Sequence, residues 1–482
     1  MSRPDLPSTP HYIAWYAART PDSIVIAEDG RFVTWRQFAT DLAGTVRALE
    51  AFGARPDALI GVEHPRRYQH LLLLLACEVI GAATISLALG QPMDETSRRC
   101  DLMFASRAAV EAGTPRTIVI APDWLPARGE HSLEADLAVL MRPVVPERIA
   151  RITRTSGTTG VPKAIPLTFG TSQLRIDRTV ADMPPHLPPA PCMLCLYHLA
   201  TGSIHRRVLT TLQLGGTVLF LPARHTWPLI AAGTVHYLAI AVGDLERTIG
   251  DASPPPPGHP LHVMAFGAAV SRDLRQLARR RLNATIENSY ASNETNLIAM
   301  IDDDNTGTLC AGVEVRIVDD LGRELPFGEA GLIHVKSDTV VSGYYNDPAL
   351  TAACFVDGWF HTSDVGFMPE AGKLVVLGRA DGMLNIGGVK VAPTPIEEQI
   401  KQIDGISDAA VIGTGGASEA GMLLAAVEIG DDPLPPETGQ RIATIIARYI
   451  GVFRIMPMRE FPRTDSGKVK RPEIEAAFRR SG

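Results

Sequence analysis

The stretch TRTSGTTGVPKAIPLT, residues 153–168, gathers hydroxylated side chains, two glycines and one lysine. Gly157 and Gly160 allow backbone conformations with positive φ, so successive N–H groups can converge on one anion. The preceding IARIT is typical of a short buried strand, which places the loop at a strand end, where open α/β sheets bind their ligands. We therefore predict a phosphate-binding loop, with contacts from Thr155, Ser156, Gly157, Thr158, Thr159, Gly160 and Lys163.

This loop differs from the phosphate loop of kinases and GTPases. Pro162 precedes Lys163 and Ala164 follows it, whereas that motif needs glycine before the lysine and serine or threonine after it. The composition also allows a surface turn rich in glycine and threonine that binds nothing. Lys163 favours anion binding, because it is the first lysine of a chain whose cations are mostly arginines.

The overall composition indicates a globular protein of two or more domains, since 482 residues exceed one ordinary core. A formal net charge of −7 predicts no nucleic-acid partner. The N-terminal MSRPDLPSTPHYIAW is unlike a signal peptide, and six scattered cysteines are consistent with reduced thiols, so we expect a cytoplasmic protein. The apolar run 71–90 contains Glu78 and Gly81, which favour a buried helix followed by a buried strand over a membrane span.

The order of apolar segments predicts the architecture. Segments IVIA, ALIGVE, TIVIAP, GTVLFLP, LAIAV and LHVMAFG alternate with helical patterns, which implies parallel α/β subdomains over 1–300. Short alternating segments over 308–377 fit a small β-barrel or antiparallel sheet. We therefore predict an N-terminal domain over 1–377, a hinge at 378–382, and a small mobile α+β domain over 383–482.

Four further segments accompany the loop: NSYASNE (288–294), GWFHTSD (358–364), GRADGMLNIGGVKVAP (378–393) and PRTDSGKVKR (462–471). Together with TSGTTGVPK they resemble the adenylate-forming superfamily of acyl-CoA synthetases, peptide-synthetase adenylation domains and luciferases. The resemblance covers nearly the whole chain, in the family's order and spacing. It implies that the protein binds ATP, Mg²⁺ and coenzyme A.

The resemblance also implies roles for individual residues around the nucleotide. Tyr290 would stack on adenine and Asp364 would bind the ribose hydroxyls, although a core aromatic and a helix N-cap are the alternatives. Asn293 stands where the family has the threonine that contacts the α-phosphate. The other nucleotide contacts implied by the motifs are Gly267, Ala268, Ala269, Asn288, Ser289 and Arg379.

The resemblance assigns the chemistry to Glu294 and Lys468. Glu294 would bind Mg²⁺, which prefers hard oxygen ligands, and Lys468 would offset the charge between the substrate carboxylate and the α-phosphate. A thiol would then attack the acyl-adenylate and expel AMP. In the family the C-terminal domain rotates between these steps about the position of Asp381, and the segment with Gly387 and Gly388 lines the thiol tunnel, although Asn385 stands where the family often has lysine.

By resemblance, the pocket for the acid is lined by Tyr197, His198, Thr201, Gly202 and Ala291. A satisfied core histidine is an equal alternative for His198. The neighbouring His205, Arg206 and Arg207 suit either a second carboxylate of a diacid or, preferably, a solvated helix face. We expect an AMP-forming carboxylate:CoA ligase, with an enzyme that loads a separate carrier protein and a non-catalytic nucleotide sensor as alternatives.

Overall fold

The computed structural model of the chain describes residues 3–91, 93–106, 115–126, 131–154, 163–267, 270–386, 389–414, 422–430, 433–463 and 469–481. The helices in these ranges are α1 (Thr9–Arg19), α2 (Trp35–Ala51), α3 (Arg67–Ile80), α4 (Glu95–Arg98), α5 (Leu133–Leu140), α6 (Phe169–Ala181), α7 (Gly202–Gln213), α8 (Thr226–Ala231), α9 (Val242–Thr248), α10 (Arg272–Leu282), α11 (Pro348–Cys354), α12 (Pro393–Lys401), α13 (Pro436–Ile446) and α14 (Arg471–Ser481).

The first strands are β1 (Ile24–Glu28), β2 (Arg31–Thr34), β3 (Leu59–Glu63), β4 (Ala83–Leu87), β5 (Leu102–Ala105), β6 (Thr117–Val119), β7 (Ile149–Arg154), β8 (Ala164–Thr168), β9 (Cys192–Cys195), β10 (Thr217–Phe220), β11 (Tyr237–Ala241), β12 (His262–Phe266), β13 (Thr285–Glu287), β14 (Ser289–Ser292) and β15 (Asn296–Ile301). The later strands are β16 (Gly307–Leu309), β17 (Glu314–Val318), β18 (Gly331–Lys336), β19 (Phe355–Val356), β20 (Trp359–Phe367), β21 (Lys373–Arg379), β22 (Leu384–Ile386), β23 (Val389–Val391), β24 (Asp408–Thr414), β25 (Met422–Glu428) and β26 (Phe453–Met458).

The chain divides into two compact units. The first comprises Met1–Met300 and Lys336–Phe360, and the second comprises Ile301–Val335 and His361–Gly482. The hinge predicted at 378–382 falls inside the second unit, where Ala380–Gly382 forms one turn of 3₁₀ helix.

Two largely parallel sheets form the centre of the first unit. Their strand orders are β13-β12-β11-β9-β10-β1-β2 and β6-β5-β3-β4-β7-β8, and the edge strands β2 and β8 run antiparallel to their neighbours. All six apolar segments that predicted strands are strands, and the helices between them give the expected parallel order. The α/β prediction for this part of the chain is confirmed.

The apolar run 71–90 forms the end of α3 and all of β4, as its sequence predicts. Leu71 to Cys77 are buried, and Gly81 ends the helix with a positive φ of 86°. Glycine adopts this left-handed conformation without the steric penalty of a Cβ atom, so the chain can turn directly into β4. Among the described residues no helix is long and apolar enough to cross a membrane.

The second unit combines an antiparallel sheet with a small α+β layer. In the sheet, β21 lies antiparallel to both β16 and β20, and the order continues through β18 to β17. An antiparallel sheet is one of the two arrangements that the sequence predicts for 308–377. In the second layer, helices α12 and α13 bury Ile396, Ile400 and Ile442 against the sheet β24-β25-β26.

Candidate active site

The predicted phosphate loop connects two strands at one end of a sheet. Arg154, the last residue of β7, faces Ala164, the first residue of β8, so 155–163 joins antiparallel neighbours. Because β7 runs parallel to β4, the loop leaves the carboxyl end of a parallel strand, as predicted. Of the predicted contacts, Lys163 lies in the described part of the chain, whereas Thr155, Ser156, Gly157, Thr158, Thr159, Gly160, Ala268, Ala269, Gly387, Gly388 and Lys468 lie outside it.

A tyrosine links the two predicted charges of the first unit. The Tyr344 hydroxyl donates to Glu294 Oε1 at 3.0 Å and lies 3.5 Å from Lys163 Nζ, which is also 5.1 Å from the Tyr344 ring centroid. Tyr344 and Glu294 are both 7% exposed. Burial, together with the Glu294 carboxylate, raises the pKa of Tyr344, so the phenol keeps its proton and remains a donor. The fold therefore brings together a lysine and a glutamate that are far apart in the sequence.

A buried arginine holds the backbone beside Glu294. Arg175 of α6 is 3% exposed and donates to the carbonyls of Asn293 at 3.0 Å, Glu294 at 2.8 Å and Thr339 at 2.7 Å. Burial lowers the pKa of Arg175 to about 9. Its hydrogen bonds cross-link the turn that carries Glu294 to the segment that leads to Tyr344, so the carboxylate has a fixed backbone.

The turn between β14 and β15 presents Asn293 toward the start of α7. Ser292 Oγ accepts from the Thr295 amide at 3.1 Å and closes the turn. A Cβ atom built on Gly202 would lie 3.7 Å from Asn293 Oδ1 and 3.4 Å from Thr153 Cγ2. The predicted acid pocket, the predicted α-phosphate contact and the strand before the phosphate loop therefore meet at Gly202.

Other predicted residues follow the carboxyl ends of neighbouring parallel strands. Gly267 follows β12, with a φ of 93° and open space where a Cβ would stand, and Asn288 follows β13. Ser289 and Tyr290 begin β14 and are partly buried, Ala291 and Thr201 are exposed, and Tyr290 pairs with Ala299 across a bulge. These residues occupy the sheet edge at which ligands bind in open α/β folds.

Tyr197 and His198 come after β9 at the same edge. The Tyr197 hydroxyl donates to Asp244 Oδ2 at 2.6 Å and accepts from the Ala241 amide at 2.8 Å. His198 Nδ1 accepts from the Ala200 amide at 3.2 Å, so Nε2 carries the proton and donates to the His64 carbonyl at 3.1 Å. Both ring nitrogens of His198 thus have protein partners, and burial lowers the pKa of this imidazole, which keeps it neutral.

The prediction that residues 205–207 form a solvated helix face is wrong. Arg207 is 4% exposed and pairs with the buried Glu287 at 2.5 Å, and His262 Nε2 lies 3.2 Å from the same carboxylate. Burial alone would raise the pKa of Glu287, but Arg207 and His262 lower it to about 2. The side chain of Arg207 therefore points into the interior of the first unit, because α7 packs against the sheet that contains β9 and β10.

In the second unit, Asp364 of β20 and Arg379 of β21 are directly opposite each other across an antiparallel pair. Opposite residues of such a pair project from the same face, so the carboxylate and guanidinium predicted to reach one ribose are neighbours. The predicted hinge residue Asp381 lies two positions beyond Arg379, in the 3₁₀ turn, and its side chain lies outside the described residues, as does that of Asn385.

The sequence did not indicate Tyr344 or Arg175. Tyr344 belongs to VVSGYYND, where two adjacent tyrosines are equally good candidates for burial. Arg175 lies in an amphipathic helix in which arginine is usually exposed. Only the packing of the segment 339–344 against α6 and the turn at Glu294 distinguishes these two residues.

Known proteins resemble this chain both in sequence and in fold. The family model described as AMP-binding enzyme matches residues 13–345. The chain is 23% identical to a 2-succinylbenzoate–CoA ligase of Listeria monocytogenes serotype 4b, over 95% of this chain and 97% of that one. It is 26% identical to 4-coumarate–CoA ligase 1 of Solanum tuberosum, over 69% of this chain and 66% of that one. A crystal structure of ATP-bound MatB from Rhodopseudomonas palustris has the same fold, with a TM-score of 0.80 at 21% identity, over 98% of this chain and 99% of that one.

Proposed function

The chain belongs to the AMP-binding enzyme family, and from this premise we propose that it is an ATP-dependent, AMP-forming carboxylate:CoA ligase. The proposal rests above all on the hydrogen-bonded contact of Lys163, Tyr344 and Glu294 at the carboxyl end of β7. Beside the predicted phosphate loop, the lysine suits the phosphates of a nucleoside triphosphate, and the carboxylate suits the metal ion that such a ligand carries. The relatives from Listeria monocytogenes and Solanum tuberosum are named as CoA ligases of 2-succinylbenzoate and 4-coumarate, which agrees with this class of reaction.

The first half-reaction would join the acid to AMP. An oxygen of the substrate carboxylate attacks the α-phosphorus of ATP, the bond to the β-phosphate oxygen breaks, and pyrophosphate leaves. Two anions approach each other in this step, so positive charge must lie between them. We assign that charge to Lys468 and the support of the departing phosphates to Lys163, with the Asn293 amide donating to the α-phosphate.

Glu294 fits a magnesium ligand. Magnesium is usually held in proteins by one or two carboxylates together with substrate phosphates, and it would neutralise the charge of the leaving pyrophosphate. One oxygen of Glu294 accepts from Tyr344, which orients the carboxylate, and the other oxygen, for which the described residues provide no hydrogen-bond donor, would hold the ion. The chain therefore supplies an oriented oxygen ligand.

The second half-reaction would transfer the acyl group to a thiol. The thiolate sulfur attacks the carbonyl carbon of the acyl-adenylate, and the bond to the phosphate oxygen breaks to release AMP. We propose free coenzyme A as the thiol, with Gly387 and Gly388 beside its path and a rotation about Asp381 that withdraws Lys468 between the steps. Since MgATP and coenzyme A are both supplied there, we propose that the protein acts in the cytoplasm.

Carboxylate-dependent exchange of pyrophosphate into ATP tests the first half-reaction. The wild-type protein should support exchange with an organic acid, and Lys468→Ala should lower the rate by about 100-fold or more, as expected for the loss of a charge that stabilises the transition state. Lys470→Ala is the matched control, because Lys470 pairs with Glu473 at 2.9 Å on the surface near the start of α14. Normal acyl-adenylate formation by Lys468→Ala would contradict the assignment.

Thioester formation with free coenzyme A and with purified acyl carrier proteins tests the second half-reaction. Transfer to coenzyme A supports the proposal, whereas transfer only to a carrier protein would identify a carrier-loading enzyme. Nucleotide binding without exchange for any acid would identify a non-catalytic sensor. The three outcomes therefore separate the proposed function from its two alternatives.

A further inference from the structure

A cavity of about 70 Å³ in the first unit extends from the candidate active site into buried positive charge. At one side it is lined by Asn293, Gly202 and Thr153, which meet at the start of α7. Its other lining residues include Arg151 of β7, Arg206 of α7 and the neighbouring His205. The cavity thus joins the position proposed for the reacting carboxylate to a group of cationic side chains.

In the described part of the chain, the guanidinium groups of Arg151 and Arg206 form no ion pair with a carboxylate. Arg151 is 5% exposed and donates to the Leu199 carbonyl at 2.6 Å, while its Nε and Nη1 atoms have no hydrogen-bond partner among the residues that the structure describes. Arg206 Nε and His205 Nε2 are also buried, and the same described ranges offer them no partner. Among the described residues, no carboxylate lies within 4 Å of either arginine. A buried charge without a partner destabilises the folded protein, and an anionic ligand bound beside it would offset that loss.

The acidic groups near the cavity only partly balance this charge. Glu287 of β13 attracts Arg206 but is already paired with Arg207. Glu78 of α3 lines the cavity, and burial raises its pKa to about 7, so this carboxylate is only partly ionised near neutral pH. Arg175 also lines the cavity, but its donors are occupied by backbone carbonyls. The side formed by Arg151 and Arg206 therefore keeps a net positive charge.

We propose that this cavity binds a second anionic group of the substrate, a carboxylate or sulfonate, through Arg206 and Arg151. The inference rests on the proposed function, because it takes the reacting carboxylate to lie beside Asn293. The cavity is small, so the anionic group is compact. Ile176 and Leu209 contribute apolar surface to the same cavity, which suits an aliphatic connection between the two acidic groups.

Pyrophosphate exchange with matched acids tests this subsite. Straight-chain acids of increasing length are compared with the same acids carrying a terminal carboxylate or a terminal sulfonate. Hydrogen bonds to charged groups contribute about 1.5–3 kcal/mol, so the wild-type protein should prefer a dianionic acid of suitable length by about 10- to 150-fold in kcat/KM. Arg206→Gln should remove this preference and leave the rate with the mono-acid within about threefold, because the lost bonds reach only the second anion.

Two further variants control for charge and folding. Arg206→Lys keeps the charge and should restore part of the preference. Arg280→Gln removes an exposed arginine of α10 in the same unit and should leave the preference unchanged. A melting temperature of Arg206→Gln close to that of the wild-type protein shows that the variant is folded.

The subsite proposal is overturned if the wild-type protein prefers mono-acids. It is also overturned if Arg206→Gln lowers kcat/KM equally for the mono-acid and the dianionic acid. Calorimetric titration of the terminal dicarboxylates into the full chain separates this result from failure of the proposed function. If no acid supports exchange, the ligase proposal fails, whereas binding of a dicarboxylate that Arg206→Gln weakens by about tenfold or more would still support the subsite. Absence of both exchange and binding would overturn the two proposals together.

Discussion

Replacement of Tyr344 by phenylalanine isolates the hydroxyl that links Lys163 to Glu294. The variant keeps the aromatic ring, which contacts Phe355 edge-on at 5.5 Å and lies beside the Lys163 ammonium. It removes the donor at 3.0 Å from Glu294 Oε1 and leaves a carboxylate that is 7% exposed without this partner. Hydrogen bonds to charged groups contribute about 1.5–3 kcal/mol, so we expect the free energy of unfolding to fall by this amount.

The same substitution should weaken the response to magnesium. A residue that orients a metal ligand through a hydrogen bond typically contributes about 10- to 100-fold to metal affinity or activity. We therefore expect the magnesium concentration for half-maximal pyrophosphate exchange to rise by about tenfold or more. The measurements are a urea unfolding curve and a magnesium titration of the exchange rate at saturating ATP.

Tyr345→Phe is the matched control for this prediction. Tyr345 is the next residue: its amide donates to the Ala164 carbonyl at 2.8 Å, and its ring packs against the cluster that contains Ile152 and Ala164, while in the described part of the chain no hydrogen bond from its hydroxyl is found. Its hydroxyl should therefore contribute little to unfolding or to the magnesium response. If the two variants behave alike in both measurements, the positioning role of Tyr344 is rejected.

Two further substitutions probe charged residues to which the sequence analysis assigned no role in the active site. Arg175→Met should lower the free energy of unfolding by about 2–4 kcal/mol, because three buried carbonyls lose charged donors; an unchanged urea midpoint would contradict this. Glu78 has its pKa raised by burial from 4.5 to about 7, so its contribution to stability is complete below about pH 4.5 and disappears as the pH rises through 7. Glu78→Gln should therefore melt higher than the wild-type protein at pH 8 and show no such advantage at pH 4.5, and a constant difference across this range would contradict the assignment.

The predicted strands show why much of the fold was accessible from sequence. Segments such as ALIGVE and LHVMAFG are short apolar runs between helical patterns, and burial on both faces of a parallel sheet requires that composition. The run 71–90 was equally clear, because Gly81 marks the point where a buried helix must end. These features depend on periodicity and backbone freedom, which are local properties of the chain.

The sequence predicted those residues of the candidate active site that belong to a motif within one segment of the chain. Lys163 was predicted from the glycine-rich loop that precedes it, and Glu294 was predicted from the resemblance of NSYASNE to a motif of the adenylate-forming superfamily. Their connection through Tyr344 was not predictable, because a hydroxyl bonded to a distant carboxylate leaves no periodic pattern. The same is true of Arg175, whose carbonyl partners lie on two other segments.

The basic residues of α7 show what the sequence determines locally and what depends on tertiary packing. The sequence by itself determined an amphipathic helix with adjacent basic residues, because helical periodicity depends only on local spacing. Tertiary structure alone decided that Arg207 pairs with Glu287 and that Arg206 lines a cavity, since both depend on which strands and helices pack against α7. The energy of a charge depends on its surroundings, and those surroundings come from residues remote in the chain.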